Sequence, residues 1–420
     1  MPHTHLSIRG NKFLINDALV YDEITTCCEQ MKGTLMNARF IQGVFDTDSR
    51  SRFNRYGKIF DPQRNTEELI AALPQWYAKG LRAITVGLQG GGNCFTIPGQ
   101  ELECNPFSSD GKQIDPEYLQ RLGRLIKACD ELGMIVIVSC FYCHNVVYLN
   151  DTQAIIEAVK TVCAHIRDQG YTNVILEIAN EHNLLPFSDK PIIQSPQGIV
   201  ALIEIAHTCV PGLPVGCSAS GGTINEEVCR ASDVVLLHGN GQSRSQLYNL
   251  LRKAMLFTPD KPILINEDSQ ALGQLAVCHE LGISWGYYNN MTKQEVPANW
   301  GITEGEDRFF AWRLADMLGI GQDPIPVQDQ YYFQGFEPHM HSNGMRFPRV
   351  ASLWPETINF VRFYRNGELF YVCYDESFTA GFHSNWKQFG VQTEDGENWT
   401  AEVVLRSGET ICLNHVVKNL

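Results

Sequence analysis

Met134-Ile135-Val136-Ile137-Val138-Ser139-Cys140-Phe141 is apolar at every position but Ser139. A strand with one face in water alternates apolar and polar residues, so this run reads as a strand of a parallel sheet buried on both faces. An amphipathic stretch starts near Thr152 and stops at Gln169-Gly170, and another apolar run, Val174–Ala179, follows it. Outward from this unit the same alternation recurs in both directions. The strand candidates are Leu35–Phe45, Leu81–Leu88, Met134–Phe141, Val174–Ala179, Val215–Ser220, Val234–His238, Ile263–Asn266 and Ile283–Tyr287. Helices are expected from near Thr66, Pro116, Thr152, Pro196, Asn225, Ser245 and Leu272, with a last one at Asp307–Leu318. Asp115-Pro116-Glu117 has the cap, proline and acid of a helix start, and Leu132-Gly133 and Leu281-Gly282 have the glycine of a helix stop. Eight consecutive units predict an α/β fold of the (β/α)8 barrel type rather than an open doubly wound sheet. The glycine signatures of dinucleotide and nucleotide sites are missing after the first strand, and no cofactor is expected.

The ends read differently. Residues 1–34 carry turn signals at Gly10-Asn11 and Asn16-Asp17 and are expected to form a β-hairpin cap ahead of a barrel over 35–322. A linker rich in proline and aromatic residues is expected over 323–355. From 356 to 420 the pattern turns antiparallel, with Arg365-Asn366-Gly367 and Ser407-Gly408 as turns, and predicts a small β-domain.

The 420 residues carry a formal charge of −14, which repels a phosphate backbone and argues against nucleic acid as a partner. The apolar runs are too short to cross a bilayer. Of the fourteen cysteines, Cys129, Cys163, Cys209 and Cys278 fall at apolar positions of helices and Cys140 in a strand-like run, as buried thiols of a reducing compartment do. Cys140-x-x-Cys143 has no second pair to make a zinc site, and a Cys94–Cys104 bridge across one loop stays open. No basic-then-apolar leader opens the chain, so a cytoplasmic location is expected, or a secreted one if a leader has been removed.

Barrel chemistry sits on the loops that follow the strands. The fourth strand candidate ends in Asn180-Glu181 and the seventh in Asn266-Glu267. Glutamates there can face each other across a bound molecule. Glycoside hydrolysis needs such a pair, one carboxyl to protonate the leaving oxygen and one to attack the anomeric carbon.

These residues also carry a resemblance. Ile175-Leu176-Glu177-Ile178-Ala179-Asn180-Glu181 resembles the fourth-strand signature of the family 5 glycoside hydrolases, within the large clan of retaining barrel glycosidases. The resemblance implies that Asn180 contacts a sugar 2-hydroxyl, that Glu181 is the acid/base and that Glu267 is the nucleophile. It extends to His144-Asn145 after the third strand, to His238 at the end of the sixth, and to Trp285 on the eighth as a sugar platform. Gln42–Asp46, the Leu-His-Gly-Asn ending at Asn240 and Asn266-Glu267-Asp268 are similar to an uncharacterised subgroup. His182 stands where the family has proline. The second strand lacks the usual arginine, for which Gln89 or an arginine of the first loop would substitute.

The implied activity is retaining cleavage of β-glycosides, in the class of polysaccharide-degrading hydrolases. Glu181 is then expected to have a raised pKa and Glu267 to stay ionised, with the carboxyls about 5–5.5 Å apart. His144, Asn145, His238, Asn240, Gln42, Asp46, Trp285, Tyr287 and Trp300 are the candidate sugar contacts. Arg50, Arg52 and Arg55 form a basic loop whose self-paired reading is favoured over an anionic-sugar clamp. Two alternatives stay open. One is a metal-dependent sugar isomerase or hydrolase using His144, His238, Glu181 and Glu267; the other is a carbohydrate-binding protein on a decayed glycosidase barrel.

Overall fold

A computed structural model describes residues 3–92, 102–337 and 345–418. Cys94, and with it the possible bridge to Cys104, lies outside these residues. The fold is mixed α/β. The parallel strands are β1 (Asn37–Arg39), β2 (Ala83–Gly87), β3 (Ile135–Phe141), β4 (Val174–Ala179), β5 (Val215–Gly216), β6 (Val235–His238), β7 (Ile263–Glu267) and β8 (Gly286–Tyr287). Between them run α1 (Pro62–Ala78), α2 (Pro116–Leu132), α3 (Thr152–Gln169), α4 (Pro196–Cys209), α5 (Glu226–Ala231), α6 (Arg244–Phe257) and α7 (Leu272–Leu281), and α8 (Glu306–Met317) follows β8.

Six strands form one parallel sheet in the order β5-β4-β3-β2-β1-β8, and β6 pairs with β7 in a second. The amide of Ile265 donates to the Ser284 carbonyl (2.9 Å), linking β7 to the start of β8, and the amide of Asp233 donates to Val215 (2.8 Å) between β6 and β5. Every residue of β2, β3 and β4 is buried, as strands covered by helices require. The caps follow the sequence signals. Asp115 accepts from Glu117, Asn225 from Val228, and Ser243 with Gln246 completes a capping box. Helix α1 starts earlier than expected, at Pro62, because Asp61 caps it through the Arg64 amide.

Three strands are markedly shorter than the sequence suggests, the eighth keeping only Gly286–Tyr287 of the expected Ile283–Tyr287. After Arg39 the chain turns, with the Gly43 amide donating to Phe40 and the Phe45 amide to Gln42, so Leu35–Phe45 is not one strand. The ladder of β5 ends at Gly216, where a Cβ would fall 2.4 Å from the Val234 carbonyl oxygen.

Residues 6–19 form a three-stranded antiparallel sheet. The Leu6 amide donates to Thr172 just before β4, and Leu6 and Phe13 join the main core at the amino-terminal ends of the strands. At the other end of the chain, β9 (Ile358–Arg365), β10 (Glu368–Cys373), β11 (Asn398–Leu405) and β12 (Thr410–Val416) make an antiparallel sheet in the order β10-β9-β11-β12. It has its own core, including Val361, Phe363, Trp399 and Val403. The stretch expected as a linker is not a plain connection. Tyr331–Gln334 pairs with Arg349–Ser352, and Tyr331, Phe336 and Val350 enter the same core. A buried, two-pronged ion pair of Arg349 with Glu306 (2.8 and 2.9 Å) joins this region to α8. No described helix is long and apolar enough to cross a membrane.

Candidate active site

The carboxyl ends of the strands converge on a cavity of about 340 Å³. Its lining includes Arg39, Asn180, Glu181, Asn240, Glu267, Tyr288 and Trp386. A larger groove of about 670 Å³ between α2 and α3 has one carboxylate, Asp130, and no pair.

Glu181 leaves β4 with a φ of +54°, and its amide is held by Ser218 Oγ at 3.1 Å. The left-handed turn takes the chain out of the extended path and is stabilised by that bond. On the neighbouring strands the β6–β7 register slips between Leu237 and His238, which sets His238 opposite Glu267. His238 Nδ1 bonds Glu181 Oε1 at 2.9 Å and lies 3.6 Å from Glu267 Oε2. Arg39, the last residue of β1, brings its Nε to 2.9 Å from Glu267 Oε2 and donates from Nη2 to Asn180 Oδ1 at 2.7 Å. Asn240 Nδ2 donates to Glu267 Oε1 at 2.9 Å. Facing atoms of Glu181, His238 and Glu267 all lie within 4.8 Å of one another.

A buried layer supports the pair. Glu177 Oε1 accepts from Asn266 Nδ2 at 2.9 Å, and Asp268 accepts from Trp285 Nε1 (2.8 Å) and from Ser269 Oγ (3.0 Å). Position 239 must be glycine for this packing, because a Cβ there would sit 2.2 Å from Asp268 Oδ2. Burial raises the Asp268 carboxyl to about 7, with Trp285 and Ser269 offsetting only part of it.

The charge balance reverses one expectation. Burial pushes the Glu181 carboxyl up, but the hydrogen bond and charge of His238 and the charge of Arg39 overcome this and hold it below the ordinary value. Burial, aided by the nearby Glu181 and Glu177, keeps Glu267 above its ordinary value against Arg39 and His238. Glu181 is therefore the more acidic of the two, the opposite of what was expected. The physical reason is the imidazole: burial disfavours its charge, yet Glu267 and Glu181 raise its pKa, and its Nδ1 is committed to Glu181.

Several other candidates lie elsewhere. Asp46 pairs with Arg50 (2.8 Å) and with the fully buried Arg121 (3.3 Å) and does not line the cavity. Gln42 is buried and donates to the Gly91 carbonyl. Asn145 is buried too, donating to the Gln89 and Leu102 carbonyls, and His144 is exposed beside Tyr142 outside the cavity lining. Trp285 is fully buried on Asp268. Tyr287 stacks on Phe310 (4.1 Å between centroids) and donates to Asp307, and Trp300 is buried against Phe40 and Asn65. The next residue, Tyr288, is the one that reaches the cavity, with its ring under Arg39 at 5.6 Å. Gln89 is committed to Asn105, Asn145 and Tyr142, so it does not supply the missing arginine. In the basic loop Arg50 is paired with Asp46, and Arg55 is buried on the carbonyls of Met291 and Glu295.

Sequence reasoning missed Arg39, Tyr288 and Trp386. The one local signal was Arg39 itself, a charge inside the apolar run Leu35-Met36-Asn37-Ala38-Arg39-Phe40-Ile41.

No protein-family model matches the chain, and no curated protein matches it. Among solved structures it is similar to an FMN-binding β-glucuronidase from Facaelibacterium prausnitzii L2-6, at 12% identity and a TM-score of 0.44, over 99% of this chain and 59% of that one. It is also similar to an exo-β-1,4-mannosidase from Opitutaceae bacterium strain TAV5, at 15% identity and a TM-score of 0.47, over 68% and 60% of the two chains. A β-mannanase from the blue mussel Mytilus edulis matches at 10% identity and a TM-score of 0.47, over 76% and 98%. The chain spans about three fifths of the length of the β-glucuronidase. At these levels no residue role passes from those proteins to this one.

Proposed function

We propose that the eight parallel strands close into a (β/α)8 barrel over 35–322, followed by a β-domain over 356–420, and that the molecule is a retaining β-glycosidase. The observation that carries the reading is the carboxylate pair at the ends of β4 and β7. Oxygens of Glu181 and Glu267 within 4.8 Å fit the separation of about 5–5.5 Å used for double displacement, and not the roughly 6.5–9.5 Å that leaves room for a water between them.

In this reading Glu267 attacks the anomeric carbon while the bond to the leaving oxygen breaks and Glu181 protonates that oxygen. Water then attacks the same carbon, its proton passing to Glu181, and the ester bond to Glu267 breaks. The contacts suit these roles. Both oxygens of Glu267 are engaged, one by Arg39 and one by Asn240, which aims the carboxylate and favours its charged form. His238 is a positioning residue that shares its Nδ1 proton with Glu181, so the proton for the leaving group is held at the Glu181–His238 pair. Asn180, oriented by Arg39, faces a ring hydroxyl.

A metal centre is favoured by one observation, the tight Glu181–His238–Glu267 cluster. It offers three ligands with His144 outside it, and the Arg39 guanidinium already occupies Glu267 Oε2. A dication there would meet a fixed positive charge, so the glycosidase reading is preferred.

The test is a panel of 4-nitrophenyl β-D-glycosides with azide as an external nucleophile. Glu267→Ala is expected to give the α-glycosyl azide, by a single displacement, and Glu181→Ala the β-glycosyl azide. Wild-type protein that turns over none of the panel sinks the proposal, and exchanged products sink the role assignment.

A further inference from the structure

The indole of Trp285, just before β8, is turned onto Asp268, and just after β8 the phenol ring of Tyr288 lines the cavity. Among the described lining residues the one tryptophan is Trp386, which lies between β10 and β11, far along the chain from the carboxylates. It is part-exposed, while its neighbour Asn385 is buried.

Asn385 works as a latch. Its Oδ1 accepts from the Gly241 amide at 2.6 Å, and its Nδ2 donates to the Gln242 carbonyl at 3.1 Å. Asn290 donates to the Trp386 carbonyl from the loop after β8. Lower in the same seam the Gly273 amide donates to Glu376 and Gln270 Nε2 to Ser377 Oγ. The loop held by the latch follows His238 directly and carries Asn240. Gly241 turns at a φ of +76°, a conformation that favours glycine, and the indole packs against it, since a Cβ there would stand in ordinary contact at 3.6 Å from Trp386 Nε1. The chain at Trp386 is thus held through the Asn385 side chain and through its own carbonyl, and Trp386 lines the cavity.

We propose that Trp386 is a sugar-stacking residue of this cleft, supplied from outside the barrel and held in register with the carboxylates by Asn385. An indole offers a flat apolar face with a polar edge, which suits the C–H face of a pyranose ring flanked by hydroxyls. Asn385 is a positioning residue, since it touches the β6 loop and not the sugar. The inference rests on the glycosidase reading and adds that residues beyond the barrel take part in recognising the sugar.

The experiment uses the full chain and whichever 4-nitrophenyl β-D-glycoside (gluco, galacto, manno or glucurono) the wild type turns over fastest. Trp386→Ala is expected to lower kcat/KM by about 10- to 100-fold, the worth of covering one large apolar face, mostly through KM. Trp386→Phe keeps a ring and is expected within about five-fold of wild type, while Trp386→Leu, which keeps apolar bulk without a ring, behaves like alanine. Asn385→Ala is expected to raise KM less than Trp386→Ala does and to leave the acid limb of the pH–rate profile in place.

An alanine variant within two-fold of wild type overturns the proposal, and so does a leucine variant as good as phenylalanine, because either makes the indole a filler. The phenylalanine–leucine comparison decides even if the alanine variant unfolds. If the wild type turns over no glycoside, the glycosidase reading falls and this inference falls with it. A live wild type with an indifferent Trp386 removes this inference alone.

Discussion

Arg39→Met is the perturbation that most directly probes the electrostatics of the cleft. Methionine keeps an unbranched apolar stem of similar length and removes the charge. At 2.9 Å two unit charges in an effective dielectric of ~20 attract by about 6 kcal/mol. Burying the guanidinium opposes part of that, and with roughly half surviving the charged form of Glu267 loses about 3 kcal/mol of support, or ~100-fold in its equilibrium. Removing a cation beside a carboxylate raises its pKa, and a protonated Glu267 cannot attack carbon. The acid limb of kcat/KM therefore moves to higher pH. On that limb the variant is expected to fall about 100-fold below wild type, recovering as pH rises. A smaller, pH-independent loss accompanies it because Asn180 loses its partner. The assay is the pH–rate profile of kcat/KM on the best aryl glycoside, with urea unfolding as the control for stability. Because Glu267 can take up a proton instead of staying charged and unpaired, the stability loss is expected to be smaller at low pH than at high pH. An unmoved acid limb, or a uniform loss at every pH, would refute the reasoning.

Other perturbations separate support from chemistry. Asp268, raised to about 7, holds its proton more tightly folded than unfolded. Its contribution is present below about pH 4 and is lost as pH climbs through 7, about 4 kcal/mol in all. Asp268→Asn, which keeps an acceptor for Trp285, is expected to flatten this decline relative to wild type in urea unfolding across that range, and parallel curves would count against it. Asp46→Asn takes from the buried Arg121 its nearer carboxylate, leaving Glu117 at 3.8 Å and the Val44 carbonyl, and is expected to cost about 2 kcal/mol of stability with kcat/KM within three-fold of wild type; a large rise in KM would return Asp46 to the site. Exhaustive chelation is expected to leave glycosidase activity unchanged, and its loss with recovery on adding a divalent ion would favour the metal reading.

The parts of the fold legible in the sequence were those set by burial on both faces. The apolar run of β3 could be nothing but a covered strand, and the cap residues of α2 and α6 marked helix starts from their local chemistry. The same logic failed where tertiary contact overrides a run. Leu35–Phe45 is mostly apolar yet turns after Arg39, and the pairing of Tyr331–Gln334 with Arg349–Ser352 joins segments separated by residues that give no strand signal. In the site, Asn180, Glu181, His238, Asn240 and Glu267 could be found because each sits at or just past a strand end. Which of two adjacent aromatics faces the cavity depends on strand parity, and β8 is too short to fix it, so the sequence points to Tyr287 where Tyr288 lies. The relative acidity of the glutamates could not be read at all, since it depends on the hydrogen bond from His238.

The Asn385 latch also sets an order of events. All eight parallel strands leave the ribosome before Asn385 does, so Glu181 and Glu267 first meet in a cleft still open on one side. A chain that ends before Asn385 would hold both carboxylates and lack the wall beside them. The seam between Gly241-Gln242 and Asn385 thus joins a strand-end loop to a residue made 144 positions after Gly241 in the chain.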